Sequence, residues 1–275
     1  MAESTFSLRE TGKTCGCLDW PCIYLVPRGS QAHGLYINPA DPMGTDDEDW
    51  LAVVVPPIDY YYGLREFGSR GTVEHMCPVD GKTDLVGYEV RKFIRLLANG
   101  NPNVLSALWV DDGVIMTGAG MLLREHRRLF AVKSVYKSFA GYAFAQLRKM
   151  ESGVFEGYVG AKRRAIMDKF QYDTKNASHC IRLLRMCCEF LADGEMRVDR
   201  SGIDRDGLLS IKRGEWALWM VKVEAERLFV LAKEARDKSP LPDSVDMDAV
   251  NKLAIVVVST ALLPETILGW NAILV

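Results

Sequence analysis

Ile23-Tyr24-Leu25-Val26, Gly29-Ser30-Gln31-Ala32-His33-Gly34 and Thr45-Asp46-Asp47-Glu48-Asp49-Trp50, the last running into Leu51-Ala52-Val53-Val54-Val55, decide the fold of this chain. Both apolar runs are short and rich in β-branched and aromatic residues, so each predicts a strand. Gly29-Ser30 between them predicts a turn that opens a helix. Backbone N–H groups at such a turn lack partners of their own and suit a phosphate. Asp47 and Asp49 stand one residue apart at the head of the second strand, where alternation puts both on one face. Their hard oxygens suit Mg²⁺ or Mn²⁺ shared with substrate phosphates. Asp46 and Glu48 form a second same-face pair, so the register of the acidic run stays open. Taken alone, the run reads better as a solvated acidic loop.

Asn38-Pro39 and Asp41-Pro42 with Gly44 mark a loop before the acidic run, and Pro56-Pro57 stops the strand after it. Asp59–Leu64 predicts a short aromatic helix or turn. Thr72–Met76 and Thr83–Tyr88 predict a hairpin, with Asp80-Gly81 available for its turn. Asp84, heading the second hairpin strand, supplies a third carboxylate that can share a metal ion and help take a proton. From Val86 the apolar period lengthens: Val86, Val90, Phe93 and Leu97 recur at helical spacing until Asn99-Gly100. Asn101-Pro102-Asn103 then opens a short helix through Trp109. Beyond Asp111-Asp112-Gly113 strand signals largely disappear. Helices are expected within 121–150 and over 161–170, 174–192 and 213–236, with a last one from near Asp246 through Val258. The expected class is α/β (α+β): a small mixed β-sheet head with flanking helices over 1–115, then an all-helical domain over 116–275.

Gly29 permits close backbone approach to a phosphate, and the Ser30 hydroxyl adds a donor. His33 is a candidate substrate contact, although a histidine there more often serves local hydrogen bonding. Lys175, His179 and Arg182 fall at i, i+4 and i+7, so one helix face can offer three donors to a phosphate chain. The default for such a stripe is a solvated surface.

The bulk properties set limits. The chain has 275 residues, 48% of them apolar and 25% charged, which is ordinary globular composition. A net charge near −2 argues against coating nucleic acid by bulk charge, while leaving room for a local basic groove. No apolar run is long enough to span a bilayer, and the first residues lack a signal-peptide pattern. A soluble cytoplasmic protein without a membrane partner is expected. Seven cysteines, an odd count, fit reduced thiols. Cys15, Cys17, Cys22 and Cys77 match no standard zinc spacing.

Gly29-Ser30, Asp47-x-Asp49 and the later Asp84 resemble the DNA polymerase β-type nucleotidyltransferase superfamily. Longer stretches narrow the likeness: Gly29 to Gly34, Pro56 to Leu64, Asp84 to Phe93, Gly100 to Leu105, Tyr136 to Tyr142, and Tyr172 to His179 with Arg182 to Leu184. Together they resemble the predicted nucleotidyltransferases of bacterial and phage RNA-repair systems over about residues 23–190. The resemblance implies a helical domain closing over the nucleotide. It implies metal-dependent transfer of a nucleoside monophosphate from an NTP or dNTP to a hydroxyl, with pyrophosphate release. By match, Gly29 and Ser30 are the phosphate turn, Asp47 and Asp49 the paired metal ligands, and Asp84 the third carboxylate. A longer acidic loop between Gly34 and Asp47 and an insertion near Gly68-Ser69-Arg70-Gly71 depart from the family. The acceptor can be an RNA, tRNA or DNA end, a small molecule or a protein hydroxyl. The competing expectation is a non-catalytic nucleotide- or RNA-binding regulatory module on the same fold.

Overall fold

The computed structural model describes residues 20–262, apart from 39, 42–43, 45–47, 77–82, 112, 114 and 153–160. β1 (Cys22–Pro27) leads into a one-turn helix, α1 (Gly29–Ala32), and β2 (Glu48–Val54) follows. After α2 (Asp59–Tyr62) come β3 (Thr72–Met76), β4 (Thr83–Glu89), α3 (Val90–Ala98) and α4 (Pro102–Leu105). A 3₁₀ turn at Ser106–Trp109 and the two-residue β5 (Ile115–Met116) close this part. The rest is helical: α5 (Gly118–Glu125), α6 (Val135–Ser152), α7 (Ala161–Phe170), α8 (Thr174–Asp193), α9 (Arg205–Lys212), α10 (Leu218–Lys238) and α11 (Met247–Leu262).

The five strands form one mixed sheet in the order β3-β4-β2-β1-β5. β2 and β4 are parallel and every other pair is antiparallel. The parallel register sets the heads of the two strands side by side, with Asp49 opposite Asp84 and Leu51 opposite Val86. Alternation sorts the faces. Leu51 and Val53 join the main apolar cluster with Phe93 and Leu97 of α3, whereas Trp50, Ala52 and Val54 join a smaller one with Phe67 and Leu85. Asp49 therefore lies on the helix-covered face, and Glu48 lies on the opposite face with Trp50. Phe93 and Leu97 are fully buried, each contributing about 1.5–3 kcal/mol to seating α3 on the sheet.

Helix boundaries follow from local chemistry. Glu89 ends β4 and caps α3, its carboxylate accepting from the Arg91 and Lys92 amides at 3.0 and 3.1 Å. Asp173 caps α8 at the Asn176 amide, and Gly194, at φ 75°, closes its other end in the left-handed conformation that glycine tolerates. α8 is the hub of the helical part, packing on α6, α9 and α10. The main cluster runs from Ile23 and Tyr24 of β1 to Leu253 and Val257 of α11, which packs on α3 and α5. Described residues on both sides of position 115 thus contribute to that main cluster.

Val86 belongs to β4 rather than to the following helix, because strand pairing continues to Glu89. β5 was not expected from the pattern; two residues carry too little alternation to signal a strand. The helix expected over 213–236 starts later, at Leu218, because Gly214 at φ 77° breaks the chain after α9. The Asp80-Gly81 turn lies outside the described residues. Cys180 and Cys187 are buried thiols on α8, and burial pushes Cys180 up to about 12. Among the described residues no helix is long and apolar enough to cross a membrane.

Candidate functional site

Arg28 follows β1 directly, and its amide donates to the Asp49 carbonyl at 2.9 Å, pinning the chain beside β2. Its guanidinium reaches Asp84 Oδ2 at 2.9 Å and Asp49 Oδ1 at 3.6 Å, so it bridges the two in-register carboxylates. Gly29 comes next at φ 63°, and a Cβ there would run into the Asp49 carboxylate. Conformation and close approach both demand glycine. The turn then closes through the Leu35 amide, which donates to the Ser30 carbonyl at 2.8 Å.

Above this turn lies a cleft of about 260 Å³. Gly29, Ser30, Asp49 and Leu51 form its floor, and α8 contributes a wall with Lys175, Asn176, His179 and Arg182. Tyr88 of β4, Asn103 of α4 and Ser106 just after it also line the cleft, as do His33 and Lys212. Asp84 is absent from the lining and sits behind Arg28. Asp47 lies outside the described residues. The remaining candidates, Gly29, Ser30, His33, Asp49, Lys175, His179 and Arg182, meet at this cleft although they lie as far apart as positions 29 and 182.

The α8 wall carries positive charge, which the carboxylate of Asp204 offsets in part at Arg182. Arg182 is buried, its Nε has no hydrogen-bond partner, and burial followed by the charge of Arg200 lowers its pKa to about 9. Lys212 is buried too; burial, then Lys175 and Arg182, lowers it to about 8. Burial, then Lys175 and Lys149, lowers His179 to about 4, so the ring is neutral at pH 7 with Nε2 buried and unpartnered. Desolvated cations that depress one another make a place where an anion is stabilised.

The turn is fixed from the helical side. His33 Nδ1 lies 2.9 Å from the Val198 carbonyl, and the Arg200 amide donates to the His33 carbonyl at 3.2 Å. Arg205 Nε donates to the Gly34 carbonyl at 2.7 Å, and Lys212 Nζ to the Leu35 carbonyl at 2.9 Å. His33 thus lines the cleft while one ring nitrogen is engaged with backbone. Arg200 is fully buried, its guanidinium bonded to Glu189 at 2.6 and 2.9 Å and to Asp204 at 2.7 Å. That cage holds the loop that holds the turn.

Among the described residues no three His, Cys, Asp or Glu side chains cluster tightly enough to hold a metal ion. Asp49 and Asp84 are a two-carboxylate donor set, and the Arg28 guanidinium between them marks where a cation is stabilised. All-oxygen donors of this charge fit Mg²⁺ or Mn²⁺. Arg28, Tyr88, Asn103, Ser106 and Lys212 were not anticipated from sequence. Arg28 adjoins Gly29, and Tyr88 and Asn103 lie within the family-like stretches 84–93 and 100–105; Ser106 and Lys212 arrive only through contacts far apart in the chain.

A family model described as RlaP, RNA repair pathway DNA polymerase beta family, matches residues 9–254. The chain is also 25% identical over 149 residues to the uncharacterized protein YcgL of Bacillus subtilis (strain 168), an alignment covering 54% of this chain and 47% of that protein. The match spans about half the length of that curated relative. No solved structure matches the chain.

Proposed function

The chain belongs to the RNA repair pathway DNA polymerase beta family, and on that premise we propose that it is a metal-dependent nucleotidyltransferase. Family membership supports a nucleotidyltransferase-like role. The finer proposal is transfer of a nucleoside monophosphate from an NTP or dNTP to a hydroxyl acceptor, an RNA end being the acceptor the family description favours. One observation carries it: the in-register pair Asp49 and Asp84 stands at one side of the turn, and a cationic wall with buried, unpartnered nitrogens at His179 and Arg182 lines the same cleft.

Asp49 and Asp84, with Asp47, would hold Mg²⁺ or Mn²⁺. Such an ion, when bound, neutralises triphosphate oxygens and lowers the pKa of an acceptor hydroxyl. The missing side chain at Gly29 lets a phosphate lie against the backbone. Lys175, Arg182 and Lys212, which line the cleft, would offset the charge of the β- and γ-phosphates, and neutral His179 would donate one hydrogen bond. Tyr88, Asn103 and Asn176 offer a flat ring and amides to the nucleoside. The acceptor oxygen bonds to the α-phosphorus while the bond to the α–β bridging oxygen breaks, and pyrophosphate leaves toward the cations. The acceptor's proton passes to Asp84.

Incubation with each α-labelled nucleotide, Mg²⁺ or Mn²⁺ and a pool of RNA and DNA ends tests the proposal. Label should enter the acceptor with the wild type and fall by about 10²–10³-fold in Asp49→Asn and in Asp84→Asn. Nucleotide binding without label transfer or pyrophosphate release would instead assign a binding module.

A further inference from the structure

Arg28 stands where the proposed chemistry needs a metal ion. Its Nη2 lies 2.9 Å from Asp84 Oδ2 and 3.6 Å from Asp49 Oδ1. The guanidinium brings positive charge directly to both carboxylates. A divalent ion bonds carboxylate oxygens at about 2.1 Å and would meet that fixed positive charge. Nη2 occupies one oxygen of each carboxylate, so a divalent ion on the same pair binds against an adjacent positive charge, a penalty that is relieved when the guanidinium moves away.

The surroundings give the guanidinium somewhere to go. Its main chain is pinned to the Asp49 carbonyl, but its Nε is buried without a hydrogen-bond partner, so the side chain is secured at its tip only. Arg28 also lines the cleft, together with Gly29 and Ser30, where the phosphates of a bound nucleotide would lie. Its planar fork suits phosphate as well as carboxylate.

We infer that Arg28 is an exchangeable counter-ion: it neutralises Asp49 and Asp84 while no metal is bound, and turns into the cleft to pair with a nucleotide phosphate when metal and nucleotide arrive. This rests on the metal-dependent function proposed above. The exchange penalises metal binding in the absence of nucleotide and returns that penalty when triphosphate is present, so the two ligands bind with positive coupling. A merely structural Arg28, one that holds Asp84 in place, would have the opposite effect, since its removal would weaken metal binding.

Mn²⁺ titration of the full chain without nucleotide, following the paramagnetic resonance signal of the free ion, separates these roles. Arg28→Gln should bind Mn²⁺ about tenfold more tightly than wild type, because a neighbouring cation shifts a carboxylate's affinity for positive charge by at least that much. The gain should vanish in an Asp49→Asn/Asp84→Asn background and narrow when a non-hydrolysable triphosphate is added. Arg28→Lys keeps the charge without the fork and should fall between. It also decides the matter should Arg28→Gln not fold: tighter binding than wild type supports the exchange, and unchanged binding overturns it. Equal or weaker Mn²⁺ binding in Arg28→Gln overturns the exchange and leaves the metal site standing. No Mn²⁺ binding by any variant overturns both.

Discussion

Arg182 and Arg200 are both buried arginines of the helical part, and they live under opposite rules. Arg200 is enclosed by Glu189 and Asp204, each within 2.9 Å of a guanidinium nitrogen. Arg182 lies on the cleft, its Nε without a partner, and burial lowers its pKa to about 9. Burial with paired charge marks a structural clamp, because the carboxylates offset the desolvation cost within the fold. Burial without paired charge is a standing cost, and a site that binds anions gives a reason for it to persist. The same side chain is therefore architecture in one place and a candidate ligand contact in the other.

Removing each arginine tests that contrast. Arg200→Ala leaves Glu189 and Asp204 facing a void and should cost about 3–5 kcal/mol in denaturant unfolding. A loss under about 1 kcal/mol would show the cage to be ornamental. Arg182→Met should leave unfolding stability unchanged or raise it slightly, while weakening nucleotide binding about 10–100-fold by calorimetry, the value of a charge-assisted hydrogen bond. If Arg182→Met destabilised the fold as Arg200→Ala does, the distinction would collapse. The smallest effect belongs to Lys212. With its pKa lowered to about 8, its charge fades as pH rises through that value, so nucleotide affinity should decline by a few-fold from pH 7 to 9. Lys212→Met should bind more weakly at pH 7 and lose the part of the decline centred near pH 8, keeping the part near pH 9 that belongs to Arg182.

The contrast also explains what could be read from the sequence. Strands at 23–26, 72–76 and 83–88 announced themselves because β-branched residues and turns bracket them, and the structure places strands there. Alternation alone predicts that Asp49 and Leu51 share a face, and the two-sided packing of β2 follows it. The stripe Lys175, His179 and Arg182 was legible as helical spacing, but nothing local says whether such a stripe faces water or a cleft. That depends on the head packing against α8. Arg200 was invisible as a clamp because a lone arginine in a loop has no periodicity. α9 was missed because its eight residues merge with the following amphipathic run until Gly214 is recognised as a break. Arg28 escaped notice because its meaning lies in Asp84, 56 positions away.

The staples on the Gly34-Leu35 turn bear on how the molecule is made. The carbonyl of Leu35 is bound by Lys212, 177 positions later, and that of Gly34 by Arg205, 171 positions later. Sheet residues through Met116 leave the ribosome well before either partner exists. Contacts of such sequence separation close late. The chain therefore completes its strands first and acquires a settled turn over residues 29–35 only after α9 has been synthesised and docked, so a nascent or truncated protein would hold Asp49 and Asp84 without a fixed turn beside them.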